Sequence, residues 1–220
     1  MKTTAIIVAA GAGSRFKSDT PKQFLEINGK PVIVHTLERF QAAPSIDSIV
    51  LVLSEGQANA FDAEAVSKLE KVVAGGETRA HSVLNGLNAV NADTEIVAVH
   101  DGARPLVTVE EIEATIAKAK ETGAACLTAP VTDTIKSVRG GEIAATLDRE
   151  KLRRALTPQA FKIEVLRSAF EGVDLNDSVT DECYLVEKLG HPIAIVEGSS
   201  RNIKITHPED LILAEALLKS

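Results

Sequence analysis

Short runs of consecutive apolar residues recur along the chain, with longer segments of helical period between them. The runs Thr4 to Ala9, Ser48 to Ser54, Lys71 to Ala74, Glu95 to His100 and Ala124 to Val131 have strand length. Several are apolar at successive rather than alternate positions, the mark of strands covered on both faces. Pro31 to Gln41 opens on a proline, which suits the first position of a helix. Arg79 to Val90 is amphipathic, and Val109 to Thr122 carries acids early and lysines late, as the helix dipole favours. The alternation predicts an α/β fold, Rossmann-like, with a mostly parallel sheet flanked by helices.

One stretch breaks the alternation. Thr134 to Arg139, then Gly140-Gly141, then Glu142 to Leu147 reads as a β-hairpin with a two-residue turn. A lone hairpin is marginal in water, so it is expected to pack on something, for which a partner subunit is a candidate. The C-terminal third returns to helices and short strands and ends in a helix, Pro208 to Lys219, capped by Thr206 or His207. No linker interrupts the chain, so residues 1–220 are expected to form a single domain with a protruding arm at about 134–149.

Composition narrows the function. At 220 residues, 45% apolar and 25% charged, the chain can bury a sizeable core. Its net charge of -7 argues against coating nucleic acid or an anionic membrane, so any phosphate must be met by a few placed cations. No apolar run approaches the roughly 20 residues of a membrane span. The segment Ala5 to Ala12 is too short, and too soon followed by basic residues, for a signal peptide. Two cysteines, Cys126 and Cys183, give neither a metal spacing nor a disulfide framework, and they fit a cytoplasmic protein.

Candidate chemistry clusters where strands give way to helices. The first such passage is Ala9-Ala10-Gly11-Ala12-Gly13-Ser14-Arg15, followed by Lys17 and Lys22. Glycines admit backbone amides to phosphate and the cations supply charge. Residues 1–30 hold five Lys or Arg against Asp19 and Glu26, a local +3 within a chain of -7. The same glycines also suit a plain tight turn with solvated cations. A Walker loop is absent, and the dinucleotide fingerprint lacks its third small residue, because Phe16 stands there; Glu55 alone keeps an NAD-binding reading open. Further along, Asp101 ends a strand at the sheet edge where open α/β folds bind ligands. There it is a candidate Mg²⁺ ligand, or else the start of an Asx turn. Arg104 can pair with it or bind a second phosphate. Gly75-Gly76-Glu77-Thr78-Arg79 with Ser82 marks another passage, open to a flat ligand such as a nucleobase. Lys204 lies in the short apolar segment Asn202 to Thr206, read as a strand, where a buried lysine needs an anionic partner. Cys126 and Cys183 read as core, His100 as a hydrogen-bonded strand end, and Asp177 to Glu182 as a helix start.

Together these residues resemble a known family. The glycine loop with Arg15, Pro21-Lys22-Gln23-Phe24-Leu25, Gly29-Lys30-Pro31, Gly75-Gly76 to Ser82-Val83, Asp101-Gly102-Ala103-Arg104-Pro105, Thr157-Pro158-Gln159 and Asn202-Ile203-Lys204 occur in order through nearly the whole chain. They are similar to the 2-C-methyl-D-erythritol 4-phosphate cytidylyltransferases, enzymes of the nonmevalonate isoprenoid pathway. The resemblance implies a fold of nucleotidyltransferase type and transfer of the cytidylyl group of CTP to methylerythritol phosphate, with a divalent cation, Mg²⁺. It implies CTP contacts from Ala9, Ala10, Gly11, Gly13, Gly76, Glu77, Ser82, Asp101 and Ala103, and catalytic roles for Arg15, Lys22 and Lys204. It further implies an acceptor site of Arg104, Thr134, Arg149 and Thr157, with Thr134 and Arg149 supplied across a homodimer. The sequence departs from many members at Val8 and Phe16-Lys17, beside the implied contacts. Ribitol 5-phosphate cytidylyltransferase, with a similar CTP site and another polyol phosphate acceptor, is the alternative; a bare nucleotide sensor is disfavoured by Arg15, Lys22, Asp101 and Lys204 occurring together.

Overall fold

The computed structural model describes residues 1–11, 16, 20–58, 61, 66–175 and 179–219. In chain order its elements begin with β1 (Lys2–Val8), β2 (Glu26–Ile27), β3 (Lys30–Pro31), α1 (Val32–Ala42), β4 (Ser48–Leu53) and α2 (Glu55–Ala58). Next come β5 (Leu69–Ala74), α3 (Arg79–Ala89), β6 (Thr94–Asp101), α4 (Val109–Thr122) and β7 (Ala124–Pro130). The chain closes with β8 (Lys136–Arg139), β9 (Glu142–Thr146), β10 (Arg153–Lys162), α5 (Ile163–Phe170), α6 (Glu182–Lys188), β11 (Ala194–Glu197) and α7 (Pro208–Leu218).

Seven strands form one sheet in the order β11-β7-β10-β6-β1-β4-β5. All pairings are parallel except those of β10, which runs antiparallel between β6 and β7. The five strands expected from the apolar runs occur within two residues of their expected ends. β4 shows why consecutive apolar residues mark them: Ser48 to Leu53 are all buried, with helices on both faces. Ile49, Leu51 and Leu53 enter one core with Leu37, Phe40 and Ile116, while Val50 and Val52 enter the other with Val83, Leu87 and Leu166. α1 turns a stripe spaced by three or four residues onto its core, formed by Val32, Ile33, Thr36, Leu37 and Phe40. α4 starts in a capping box between Thr108 and Glu111 and stops at Gly123, whose φ of 91° favours glycine.

The segment Asn202 to Thr206 corrects the sequence reading. It is not a strand; it crosses the sheet edge as irregular chain, tied by Ile205 N–H to the Ala103 carbonyl at 2.8 Å. Its apolar members Ile203 and Ile205 instead join a small third core with Phe16, Ile27 and Ala103. The helix after it does begin where expected: Asp210 accepts from the backbone N–H groups of Thr206 and His207, capping α7. The hairpin also forms, as β8 and β9 joined at Gly140-Gly141, both with positive φ. Its faces are largely exposed, including Val138 and Ile143. Among the described residues no helix is long and apolar enough to cross a membrane.

Candidate active site

Four neighbouring strands, β6, β1, β4 and β5, end side by side, and their backbones continue to bond beyond the regular ladder. Ala9 N–H donates to the Val52 carbonyl at 2.8 Å, Gly75 N–H to Leu53 at 2.7 Å and Gly102 N–H to Val8 at 2.8 Å. These bonds hold the residues after β1, β5 and β6 against one another at the carboxyl edge, where α/β sheets place ligands. Close approach needs small residues: a Cβ on Gly102 would lie 2.8 Å from both the Ala9 methyl and Ile33 Cδ1, and one on Gly75 would collide with Ala10. The result is a cavity of about 350 Å³.

Ten residues singled out in the sequence line it: Ala9, Ala10, Gly11, Lys22, Gly76, Glu77, Ser82, Asp101, Ala103 and Lys204. Gly13, Arg15 and Lys17 lie outside the described residues, as do Asp177 and Ser178. Ser82 closes the end of the cavity at Gly76. Its hydroxyl donates to the Thr78 carbonyl at 3.0 Å and accepts from Gly76 N–H at 3.1 Å, so the Gly76 amide is already engaged within the chain. Lys22 reaches across the cavity to the Ile205 carbonyl at 2.9 Å, beside Lys204.

Asp101 is the electrostatic centre. Its Oδ1 accepts from Arg79 Nε at 3.0 Å, and its Oδ2 lies 2.8 Å from Lys204 Nζ and 3.5 Å from Arg104 Nε. Burial by itself would raise its carboxyl, but these three cations outweigh that and hold it well below the usual carboxylate range. Lys204 thus has the anionic partner its setting demands, although its side chain is half-exposed rather than buried. Arg104, whose pKa burial lowers, also donates to the Asn202 carbonyl at 2.8 Å, so of its two expected partners it meets the carboxylate.

Behind Asp101 a neutral polar set fixes the strand end. Thr157 Oγ1 accepts from Asp101 N–H at 3.1 Å, which leaves its own hydrogen for His100 Nδ1 at 3.0 Å. His100 Nε2–H then faces the Arg104 carbonyl at 3.2 Å. Burial pushes the His100 imidazole down to about 3, in keeping with this uncharged tautomer. Thr157 therefore sits beneath the cavity and not in its lining. Thr134 and Arg149 are exposed on the arm side, Arg149 donating to the Thr132 carbonyl at 2.9 Å, and neither lines the cavity of its own chain.

The sequence reading left three contributors unassigned. Gln23 lines the cavity and donates to the Ala9 carbonyl at 2.7 Å, pinning the start of the glycine loop. Thr78 caps α3 by accepting from His81 N–H. Arg79 opens α3 and joins Asp101 to the fully buried Glu182, which it meets through both terminal nitrogens at 2.6 and 3.0 Å. Position as the first residue of a helix pointing at the sheet edge was the available signal for Arg79; nothing local marks Glu182, 103 residues away.

A cavity at a parallel-sheet edge, lined by the start of a glycine loop, by Lys22 and Lys204 and by the ionised Asp101, is the arrangement of the α/β nucleotidyltransferases. Residues 3–220 match the family model described as 2-C-methyl-D-erythritol 4-phosphate cytidylyltransferase, and the chain belongs to that family. It is 45% identical over 225 residues to the enzyme of that name from Syntrophus aciditrophicus, covering 99% of this chain and 96% of the relative. With the enzyme from Pelotomaculum thermopropionicum it shares 44% identity over 226 residues, 100% and 95% of the two chains. The solved Thermus thermophilus 2-C-methyl-D-erythritol 4-phosphate cytidylyltransferase superposes with a TM-score of 0.82 at 33% identity, over the whole of both chains. The family and the relatives carry the methylerythritol name, so the ribitol alternative is not favoured.

Proposed function

We propose that this chain binds CTP in the sheet-edge cavity and transfers its cytidylyl group to 2-C-methyl-D-erythritol 4-phosphate, releasing pyrophosphate. The observation that carries this reading is the convergence of Lys22, Lys204 and Asp101 on one cavity with the backbone of residues 9–11. The base lies against Gly76, Glu77 and Ser82, and the triphosphate along Ala9, Ala10, Gly11 and Gly13, with Ala103 beside it. Arg15, Lys22 and Lys204 neutralise the phosphates. Arg104 borders the acceptor, Thr157 supports that side from beneath, and Thr134 and Arg149 reach it from the arm of a second subunit.

Asp101 fits a Mg²⁺ ion that takes one carboxylate and fills its remaining positions with phosphate oxygens and water. It is ionised and lines the cavity, and among the described residues no cluster of three or more acids, histidines or cysteines could cage a metal without substrate. Bound there, Mg²⁺ would offset charge on the triphosphate. Lys204 spends its charge on Asp101 in the free protein and exchanges that carboxylate for the α-phosphate when nucleotide enters.

The acceptor is itself a phosphate, whose second pKa near 6 leaves it mostly dianionic at neutral pH, so no general base is required. An acceptor oxygen bonds to the α-phosphorus while the bond from that phosphorus to the β-phosphate oxygen breaks, and pyrophosphate departs with the electron pair. The residues of the chain hold the two anions in line and neutralise the charge between them. The two buried free cysteines support a reducing, cytoplasmic setting. Pyrophosphate release with CTP and Mg²⁺ tests the reading. Methylerythritol 4-phosphate is expected to be strongly preferred over ribitol 5-phosphate, and preference for ribitol or silence with both overturns it.

A further inference from the structure

Glu182 has no part in the chemistry described above, yet it is a carboxylate with no exposed surface, bound to a residue of the cavity wall. Replacing a buried ion pair by apolar side chains is often neutral or stabilising, so stability alone does not account for such a pair. Its placement is tightly built. Asp181 caps α6 by accepting from Tyr184 N–H at 2.9 Å, and it also accepts from Gln159 Nε2 at 2.8 Å. Gln159 in turn accepts from Cys183 N–H at 3.0 Å. The first turn of α6 is thereby tied to β10, which pairs with β6 through Gln159 and Val99, two residues before Asp101.

Three of the five N–H bonds of Arg79 are thus committed: two to Glu182 and one, from Nε, to Asp101 Oδ1. A planar guanidinium gripped at its fork cannot swing, so its third bond sets the plane of the Asp101 carboxylate. Oδ1 is held on the protein side, and Oδ2 is left towards Lys204 and the cavity. The charge balance points the same way. Arg79, Arg104 and Lys204 face Asp101 and Glu182, one net positive charge; without Glu182 there would be two, and Arg79 would be free to grip the triphosphate in competition with Asp101.

We propose that Glu182 is a positioning residue for cytidylyl transfer, acting through Arg79 to orient the Asp101 carboxylate and to neutralise Arg79. This deepens the reading of Asp101 given above and rests on it. The test is a kinetic cycle of Glu182→Gln, Arg79→Lys and the double variant, with Asp101→Asn alongside, each assayed well below its melting temperature. Glu182→Gln is expected to lower kcat about 10- to 30-fold while the KM for CTP stays within threefold, because base and triphosphate are held by other residues. The double variant is expected to be no slower than the slower single variant, since both changes break one relay. Additive losses, or a Glu182→Gln kcat within threefold of the parent, overturn the proposal, as does a rise in KM matched by a lower melting temperature with kcat unchanged. If Glu182→Gln does not fold, the cycle is run with Glu182→Asp, which keeps the charge but retracts it by one methylene. A loss of about fivefold, again not additive with Arg79→Lys, is then expected, and unchanged kcat or additivity overturns. An active Asp101→Asn would bring down the reading of Asp101 itself, whereas an inactive one beside a fully active Glu182→Gln brings down only the relay.

Discussion

The ammonium of Lys204 lies 2.8 Å from Asp101 Oδ2, inside the cavity assigned to the nucleotide. Only Lys204 is half-exposed; Asp101 is buried and also meets Arg79 and Arg104, so it stays paired when Lys204 is removed. In the proposed reaction Lys204 is a cation stored at the point where phosphate charge develops. Lys204→Ala is expected to lower kcat by roughly 100- to 1,000-fold, the usual loss for a preorganised charge at a transition state. Steady-state pyrophosphate release checks this, with thermal unfolding expected to stay close to the parent; a kcat within threefold removes Lys204 from the reaction.

Lys22 and Arg15 carry the same expectation in the proposed reaction. Lys22 donates to the Ile205 carbonyl, so its removal also takes away one of several tethers on the segment bearing Lys204. Lys22→Ala and Arg15→Ala are each expected to cut turnover by about 100-fold or more with the fold intact. Circular dichroism and turnover, measured on the same preparations, separate the two effects.

Gly75 permits the approach of the β5 end to the glycine loop. A methyl there would meet Ala10 and lie 2.8 Å from Ser82 Oγ, while the Gly75 N–H bond to Leu53 resists retreat. Gly75→Ala is expected to cost about 1–3 kcal/mol, the range for overpacking a tight site. It should also raise the KM for CTP about tenfold, because both displaced groups border the nucleotide. Denaturant titration and CTP saturation curves report the two consequences, and an unchanged KM would remove the Ala10 to Ser82 wall from nucleotide binding.

The parallel half of the sheet was legible because its strands are buried on both faces and advertise themselves as unbroken apolar runs, as Ser48 to Leu53 does. β10 was not, since Arg153 to Lys162 mixes Arg, Thr, Pro and Gln with its buried residues, and their partners in β6 and β7 are distant in sequence. At the site, the segments that line the cavity around residues 9–11 and 76–82 could be read from glycine spacing and local charge. The relay from Asp101 through Arg79 to Glu182 could not, because its members approach only after α3, β6 and α6 have packed. Lys204 was placed on a strand because Ile203 and Ile205 alternate around it; they point instead into a small core of their own.

The arm presents Val138 and Ile143 at 65% and 68% exposure, cross-strand neighbours on an isolated two-stranded ribbon. Such a ribbon is marginal in water unless it packs on a partner. On the proposed dimer, Val138→Asp combined with Ile143→Asp is expected to give monomers and to abolish activity, since Thr134 and Arg149 are proposed to act in the neighbouring site. Sedimentation velocity and pyrophosphate release check this together. A fully active monomer would sink both the dimer and the shared site.

His100 makes the folded protein sensitive to mild acid. It is enclosed by Phe40, with ring centroids 4.8 Å apart, and by Thr157 and the Arg104 carbonyl, with the Asp101 carboxylate and Arg104 guanidinium as its charged neighbours. Its folded pKa of about 3 lies below the ordinary 6.5, so the unfolded chain takes up the proton first. The stability it contributes is complete above the ordinary value and is lost progressively as pH falls towards 3. Asp101, also depressed, holds its contribution down to its ordinary value of 3.8 and loses it only below that. Between pH 6.5 and 5 the loss of roughly 1.5 kcal/mol therefore belongs to His100, approaching about 1.4 kcal/mol per pH unit. Urea unfolding in EDTA at pH 7 and pH 5, for the parent and His100→Gln, isolates it from the other histidines. The variant is expected to start less stable at pH 7 and to lose about 2 kcal/mol less between pH 7 and pH 5; equal losses in the two proteins would mean that the imidazole is protonated, not neutral, beneath Asp101.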